Sequence, residues 1–255
     1  METNAGASVV MALKIDFSYG GRRSIYPALL CDEHDRILVD CGYPGFLPKL
    51  ERSAAEAGVP FGEITGIVVT HHDYDHYGAL REILEKYPHI RAMSSDFDAP
   101  FIDGTKQSLR VSRIMEIWES LSDSARDAAK TLKKKLDAAK PAPISLTLRN
   151  GDVMSWCGGT EIIATPGHMP GHISLYVRAL KTVITGDALV VAHGKLRVSD
   201  IHHAVDPKAA RDSARKLLEM DAEKFICYHG GVASRHEEGT AARLWRKSTQ
   251  GSGHS

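Results

Sequence analysis

Residues 70–80 read THHDYDHYGAL, and five of the six positions from His71 to His76 carry side chains that ligate metals or move protons: His71, His72, Asp73, Asp75 and His76. Crowding imidazoles and carboxylates costs stability unless something binds them, because like charges and desolvation both disfavour the charged forms. Three further stretches carry such groups. TPGHMPGH places His168 and His172 in a Pro/Gly-rich loop, KTVITGD ends in Asp187, and KFICYHG brings His229 to the end of another apolar run. Each follows a segment rich in β-branched and apolar residues, the pattern of a strand. Strand ends converge at one edge of a sheet, so the four groups are expected to meet there and hold metal. A single histidine in such a position is more often a hydrogen-bonded structural residue; four in register are not.

Alternate side chains of an extended segment share a direction. His71, Asp73 and Asp75 are therefore expected to point one way and His72 and Tyr74 the other, with His76 turning back into the same pocket at the start of a helix. The same alternation argues against His72 as a ligand in place of Asp73.

The elements that must position these groups alternate along the chain in two halves. SVVMALKIDF, IYPALLC and RILVDCG read as strands, PKLERSAAEAG as a helix closed by Gly58, ITGIVVT as a strand, GALREILEKYP as a helix, and HIRAMS as a short strand. In the second half TEIIAT, HISLYV, KTVITGD and KFICYHG are strands, and DPKAARDSARKLLEM and ASRHEEGTAARLWRK are helices, before a frayed tail. Between the halves, a helical insert spans about 96–145. There Val111, Ile114, Met115, Trp118 and Leu121 fall on one apolar stripe, KKK at 133–135 is a solvated face, and PAP at 141–143 marks the exit. Such an insert packs on the core, or serves as a lid or a dimer contact beside a site.

Composition narrows the function. At 255 residues, 43% hydrophobic and 25% charged, the chain is of ordinary globular make-up. Lys+Arg and Asp+Glu are equal at 32, so no net field draws it to nucleic acid or an anionic membrane. The N-terminal residues lack the pattern of a signal peptide, and no apolar run approaches the roughly 20 residues of a membrane span. Cys31, Cys41, Cys157 and Cys227 have no CxxC spacing and read as reduced thiols of a cytoplasmic protein, with Cys31 and Cys227 expected in core strands.

The ordered set HHDYDH, TPGHMPGH, TGDAL and YHGG, preceded by ILVDCG, resembles the metallo-β-lactamase fold superfamily, and the match spans nearly the whole chain. The resemblance implies an α/β fold, an αββα four-layer sandwich, with residues 1–255 as a single domain carrying the helical insert and two metal ions along one edge. It implies that His71, Asp73 and His168 hold the first metal, that Asp75, His76 and His229 hold the second, and that Asp187 bridges both. Asp40 is implied as the carboxylate that orients a ligand, and His172 either supports the ligands or is structural. The family's HxHxDH motif appears here with Asp73 in place of its second histidine. Two divalent cations against the carboxylates of Asp73, Asp75 and Asp187 leave one positive charge, which a bridging hydroxide neutralises; the usual histidine leaves one more. Asp73 thus weakens the first metal as a Lewis acid and shifts preference from softer ions towards harder ones such as manganese or iron, although zinc, the expected metal, accepts carboxylates too.

Such a centre holds hydroxide as a nucleophile, polarises a carbonyl and stabilises the oxyanion, with Asp75 orienting the nucleophile and passing a proton to the leaving group. The expected function is metal-dependent hydrolysis of a small ester, lactone, thioester or lactam. Tyr74, Phe101, His193, His202, His203 and Tyr228 are candidate substrate contacts, each more simply structural. The alternatives are an iron-dependent oxidoreductase of the same fold, for which no flavodoxin-like domain is expected here, and a metal-binding sensor without turnover. A nuclease, which usually carries a large basic insertion, is not expected. Nor is a glyoxalase-type thioesterase, since only about twenty-five residues follow His229. The insert is a candidate homodimer contact.

Overall fold

The computed structural model describes residues 8–18 and 21–235. They divide into two compact units, one drawn from Met1–His34 and Arg149–Ser255, the other Asp35–Leu148. The first opens with strands β1 (Val9–Ala12), β2 (Ile15–Ser18), β3 (Arg22–Ile25) and β4 (Ala28–Cys31). β1 pairs antiparallel with β4, and β2 with β3. The run expected as one strand over 8–17 breaks after Ala12, where the Leu13 N–H turns to the Pro27 carbonyl at 2.7 Å.

The unit Asp35–Leu148 contains, in order, β5 (Arg36–Val39), α1 (Leu47–Glu56), β6 (Gly66–Val69), α2 (Tyr74–Tyr77), α3 (Leu80–Lys86), β7 (Arg91–Ser95), α4 (Ala99–Ile102), α5 (Leu109–Ile117), α6 (Asp123–Leu136) and β8 (Leu146–Leu148). Its strands pair in parallel in the order β5-β6-β7-β8. A parallel strand covered on both faces reads as an unbroken apolar run, and all four residues of β6, GIVV, are buried. Helix α1 has Pro48 in its first turn, buries Leu47, Leu50, Ser53 and Ala54 on one face, and ends at Gly58, whose φ of 82° suits a residue without Cβ.

The helix expected over 78–88 begins earlier, at Tyr74, and is interrupted at Gly78, where an added Cβ would lie 2.3 Å from the Tyr74 carbonyl oxygen. The helical insert contains α4, α5 and α6, and its long helical stretch is broken between the last two. A 3-10 turn over Trp118–Ser120 follows α5, and Ser122 caps α6 by accepting from the Ala125 N–H. Val111, Ile114 and Leu136 form its small core, against which Tyr74, Trp118 and Ala129 pack. Met115, expected in this stripe, is 53% exposed, because the chain folds back after Ile117 and α6 covers only the Val111–Ile114 side.

The remaining elements are β9 (Val153–Met154), β10 (Thr160–Ala164), β11 (Ile173–Val177), β12 (Thr182–Ile184), β13 (Leu189–Ala192), β14 (Lys195–Val198), α7 (Pro207–Glu219), β15 (Lys224–Cys227) and β16 (Gly231–Ser234). They build a sheet in the order β9-β10-β11-β12-β15-β16, antiparallel throughout except for the β12–β15 pair, whose crossover carries the β13–β14 hairpin and α7. Helix α7 packs Ala214 and Leu217 into a core with Val183, Phe225 and Cys227. The helix expected over 233–247 is corrected at its start, since Ala233 and Ser234 belong to β16; its residues from 236 lie outside the described residues. None of the four cysteines forms a disulfide, and Cys31 is half-buried rather than in the core. Burial pushes the Cys227 thiol up to about 12. No helix among the described residues is long and apolar enough to cross a membrane.

One close approach sets the loop that carries His168. Asp206 caps α7 through the N–H groups of Lys208 and Ala209, and its own N–H donates to the Gly167 carbonyl at 2.9 Å. Gly167 has φ 134°, and a Cβ there would meet the Ala210 nitrogen at 2.1 Å and its Cα at 2.3 Å. Both the conformation and the backbone contact exclude a side chain. Gly167→Ala is expected to lower stability by roughly 1–3 kcal/mol, the cost of overpacking at an unyielding site; chemical denaturation beside the wild type measures it.

Candidate metal centre

In the unit Asp35–Leu148 the site starts at the end of β5. Asp40 is buried with φ 64°, a left-handed conformation that Asp tolerates better than most residues. Its carboxylate accepts the Thr70 N–H at 2.8 Å, the Thr70 hydroxyl at 2.9 and 3.0 Å, and His76 Nδ1–H at 2.9 Å. The Thr70 hydroxyl, with its proton committed to Asp40, accepts from His71 Nδ1–H at 3.1 Å. Both imidazoles therefore hold their proton on Nδ1 and keep Nε2 as a lone-pair atom, the form that binds a metal. The His76 backbone is held as well, its carbonyl accepting the Cys41 N–H at 2.7 Å. The two rings lie with centroids 4.0 Å apart.

Strand alternation does not orient this segment, because β6 ends at Val69 and residues from Tyr74 are helical. Asp73 is the N-cap residue of α2, yet its side chain makes no cap bond. Arg110, near the start of α5, takes the carboxylate in a two-pronged grip: Nε donates to Oδ1 at 2.9 Å and Nη2 to Oδ2 at 2.6 Å. Asp73 Oδ2 also lies 3.3 Å from His71 Nε2. His72 is occupied elsewhere. Its Nδ1 bonds the buried Asp98 carboxylate, and its ring stacks on Phe101 at 4.4 Å. Asp98 is itself held by Ser95. Asp75, on α2, has Oδ2 3.9 Å from His76 Nε2 and a side chain 16% exposed. Burial, and then the Asp73 charge, push the Tyr77 hydroxyl up to about 12, so it stays protonated.

In the other unit, Asp187 follows β12, His168 sits in the loop after β10, and His229 follows β15. Asp187 Oδ2 lies 3.5 Å from His168 Nε2, and Oδ1 lies 3.6 Å from His229 Nε2. One carboxylate thus faces a different histidine with each oxygen. His172 points its Nε2 at the Asp187 backbone N–H and accepts from it at 2.9 Å. Its proton is then on Nδ1, which donates to Thr165 Oγ1 at 2.8 Å; Thr165 bonds Ser174 at 2.8 Å, and Ser174 donates to the Thr185 carbonyl. With both ring nitrogens committed, His172 positions the Asp187 backbone. Gly230, next to His229, would place a Cβ 1.9 Å from the Val191 oxygen, while the Val191 N–H donates to the His229 carbonyl at 3.0 Å.

The spacing of these atoms suits shared cations. Two ligand atoms on one tetrahedral ion with bonds of 2.0–2.1 Å stand about 3.3 Å apart. The imidazole–carboxylate pairs here run from 3.3 to 3.9 Å. The donors are all imidazole nitrogen and carboxylate oxygen, which suit zinc, iron and manganese.

Of the other singled-out residues, His193 occupies the two-residue turn between β13 and β14 with φ 52°, and His202 and His203 are exposed. Tyr228 is buried and gives its carbonyl to the Tyr26 N–H at 2.9 Å. The residues that the sequence reading missed are Thr70, Asp98, Arg110, Thr165 and Ser174. Each is an ordinary polar residue whose role comes from a partner that folding brings to it, and no local pattern marks it.

Comparison with known proteins identifies the family. The family model of the metallo-beta-lactamase superfamily matches residues 20–229. A probable metallo-hydrolase of Bacillus subtilis, YflN, is 26% identical over 221 residues, covering 78% of this chain and 76% of its own. Among solved structures, a metallo-beta-lactamase family protein of Thermus thermophilus, TTHA1429, superposes with a TM-score of 0.68 at 22% identity, over 88% of this chain and 74% of its own. A protein solved in a di-iron-bound form, TTHA1623, gives 0.60 at 22% identity over 87% and 93%. The dizinc quorum-quenching lactonase AidC gives 0.58 at 19% over 84% and 76%. These likenesses carry the expected α/β sandwich fold, and with the family match extending over most of its length, the chain belongs to the metallo-beta-lactamase superfamily.

Proposed function

We propose, on the ligand pattern of the family, that His71, Asp73, Asp75, His76, His168, Asp187 and His229 hold two divalent ions, and that the chain is a hydrolase of small acyl substrates. The observation that supports it most is the paired spacing: each unit presents imidazole nitrogens and carboxylate oxygens at the separation that a shared ion requires. In this reading Asp187, whose two oxygens face His168 and His229, would help to hold both ions. Zinc is the proposed metal, with iron or manganese as the carboxylate-tolerant alternatives.

Bound there, the ions supply a hydroxide nucleophile and Lewis acidity at the substrate carbonyl. The protein's own part is orientation and proton movement. Asp40 and Thr70 hold His71 and His76, and His172 holds Asp187 through its backbone. Asp75, partly open to solvent, takes the proton of the attacking water and returns it to the leaving oxygen. Lactones and esters stand first among substrates because a lactonase shares the fold. Four cysteines without a disulfide suit a reducing compartment, and the cytoplasm is the proposed location. An oxidoreductase reading draws on the Asp73 carboxylate and on the di-iron form of a structural relative.

Protein produced with metal supplement is expected to carry close to two transition-metal ions per chain by elemental analysis. One or none after titration removes the two-ion reading. Hydrolysis of a lactone and ester panel is expected to proceed without oxygen and with zinc alone; turnover that requires oxygen and iron transfers the assignment to an oxidoreductase. Asp73→Ala is expected to lose one ion. His72→Ala is expected to keep both while losing roughly 1–3 kcal/mol of stability, because it strips the buried Asp98 of its imidazole partner. Metal content and denaturation of the two variants, side by side, check this; loss of an ion in His72→Ala alone moves the ligand by one residue.

A further inference from the structure

The helical insert reaches the candidate centre through Arg110. This arginine is the second residue of α5, and its guanidinium spans both oxygens of Asp73, at 2.9 and 2.6 Å. The Asp73 side chain is 9% exposed and that of Arg110 25%, so the pair is largely shielded from water. Its register is set by the neighbouring residues: Val111 and Ile114 are locked in the core of the insert, and Tyr74, the residue after Asp73, packs against that same core. The insert is thus tied to the segment His71–His76 by an apolar contact and by a charged fork on consecutive residues.

A carboxylate offers about four lone-pair positions on two oxygens, and a side-on guanidinium takes one from each. Asp73 Oδ2 is also the oxygen that lies 3.3 Å from His71 Nε2. Resting on the two-ion reading above, we propose that Arg110 is a positioning residue of the metal centre: it fixes Asp73 so that Oδ2 meets the ion beside His71. It also supplies the positive charge that the carboxylate removed, so the centre regains the net charge it has with a histidine at position 73. Asp73 and Arg110 together replace one neutral ligand by an anion and its cation.

The test is a competition titration of metal-free protein with zinc against a chromophoric chelator, for wild type, Arg110→Ala, Arg110→Lys and Val111→Ala, with hydrogen exchange over residues 109–117. Wild type is expected to take two ions. Arg110→Ala is expected to weaken one of them about 10–100-fold, the usual cost of losing a residue that orients a ligand, and to leave the other in place. Arg110→Lys keeps the charge without the fork and is expected to fall between the two. Val111→Ala loosens the insert, seen as faster exchange in α5, while zinc affinity stays at the wild-type level. Unchanged or tighter zinc binding in Arg110→Ala overturns the proposal, as does full recovery in Arg110→Lys or an equal loss in Val111→Ala, and in each of these cases the two-ion reading stands. A wild type that takes no zinc overturns both.

Discussion

The Asp40 carboxylate is the constraint on which the first half of the centre depends. It is buried, and it sits on a left-handed backbone that costs roughly 1–2 kcal/mol. Against that cost it accepts from the Thr70 N–H, the Thr70 hydroxyl and His76 Nδ1. A hydrogen bond to a charged acceptor contributes about 1.5–3 kcal/mol, so the network outweighs the strain. The positive φ is what turns the carboxylate away from the strand end and back over β6. The consequence is chemical: His71 and His76 are each held through Nδ1 and so fixed in one tautomer.

Asp187 is held by a different device to a similar end. Here the supporting group is an imidazole that acts on the backbone, His172, backed by the Thr165–Ser174 hydroxyl pair and ending on the Thr185 carbonyl. Every member of that chain is buried and every proton in it is assigned by the next acceptor. Around it, the two loops that carry His168 and His229 are pressed against backbone at Gly167 and Gly230, where no side chain fits. Rigid elements therefore set the imidazole–carboxylate spacings in this unit.

The insert adds charge balance to this frame. An unbalanced carboxylate in a shielded environment is costly. Arg110 offsets that cost from the first turn of α5, with both oxygens of Asp73 inside its fork. Tyr74 anchors the same helix from the apolar side.

Much of this was legible in the residues alone. The ordered motifs around His71–His76, His168, Asp187 and His229, each behind a strand-like run, carried the family resemblance, because residue type and strand-end position are local properties. The GIVV and KFIC strands, helix α1 and helix α7 were legible for the same reason, through apolar runs, caps and helix-period patterns. Boundaries were less so: the break at Gly78 and the fold-back after Ile117 answer to Pro44 and to the Val111–Leu136 core, which lie far along the chain. Strand alternation does not reach His72, which lies beyond the end of β6; what holds it is Asp98, twenty-six residues away. Arg110 is the clearest case of what tertiary structure decided. The sequence contains the arginine and the unusual aspartate, but an ion pair depends on distance between side chains, and only folding brings residues 37 positions apart to 2.6 Å.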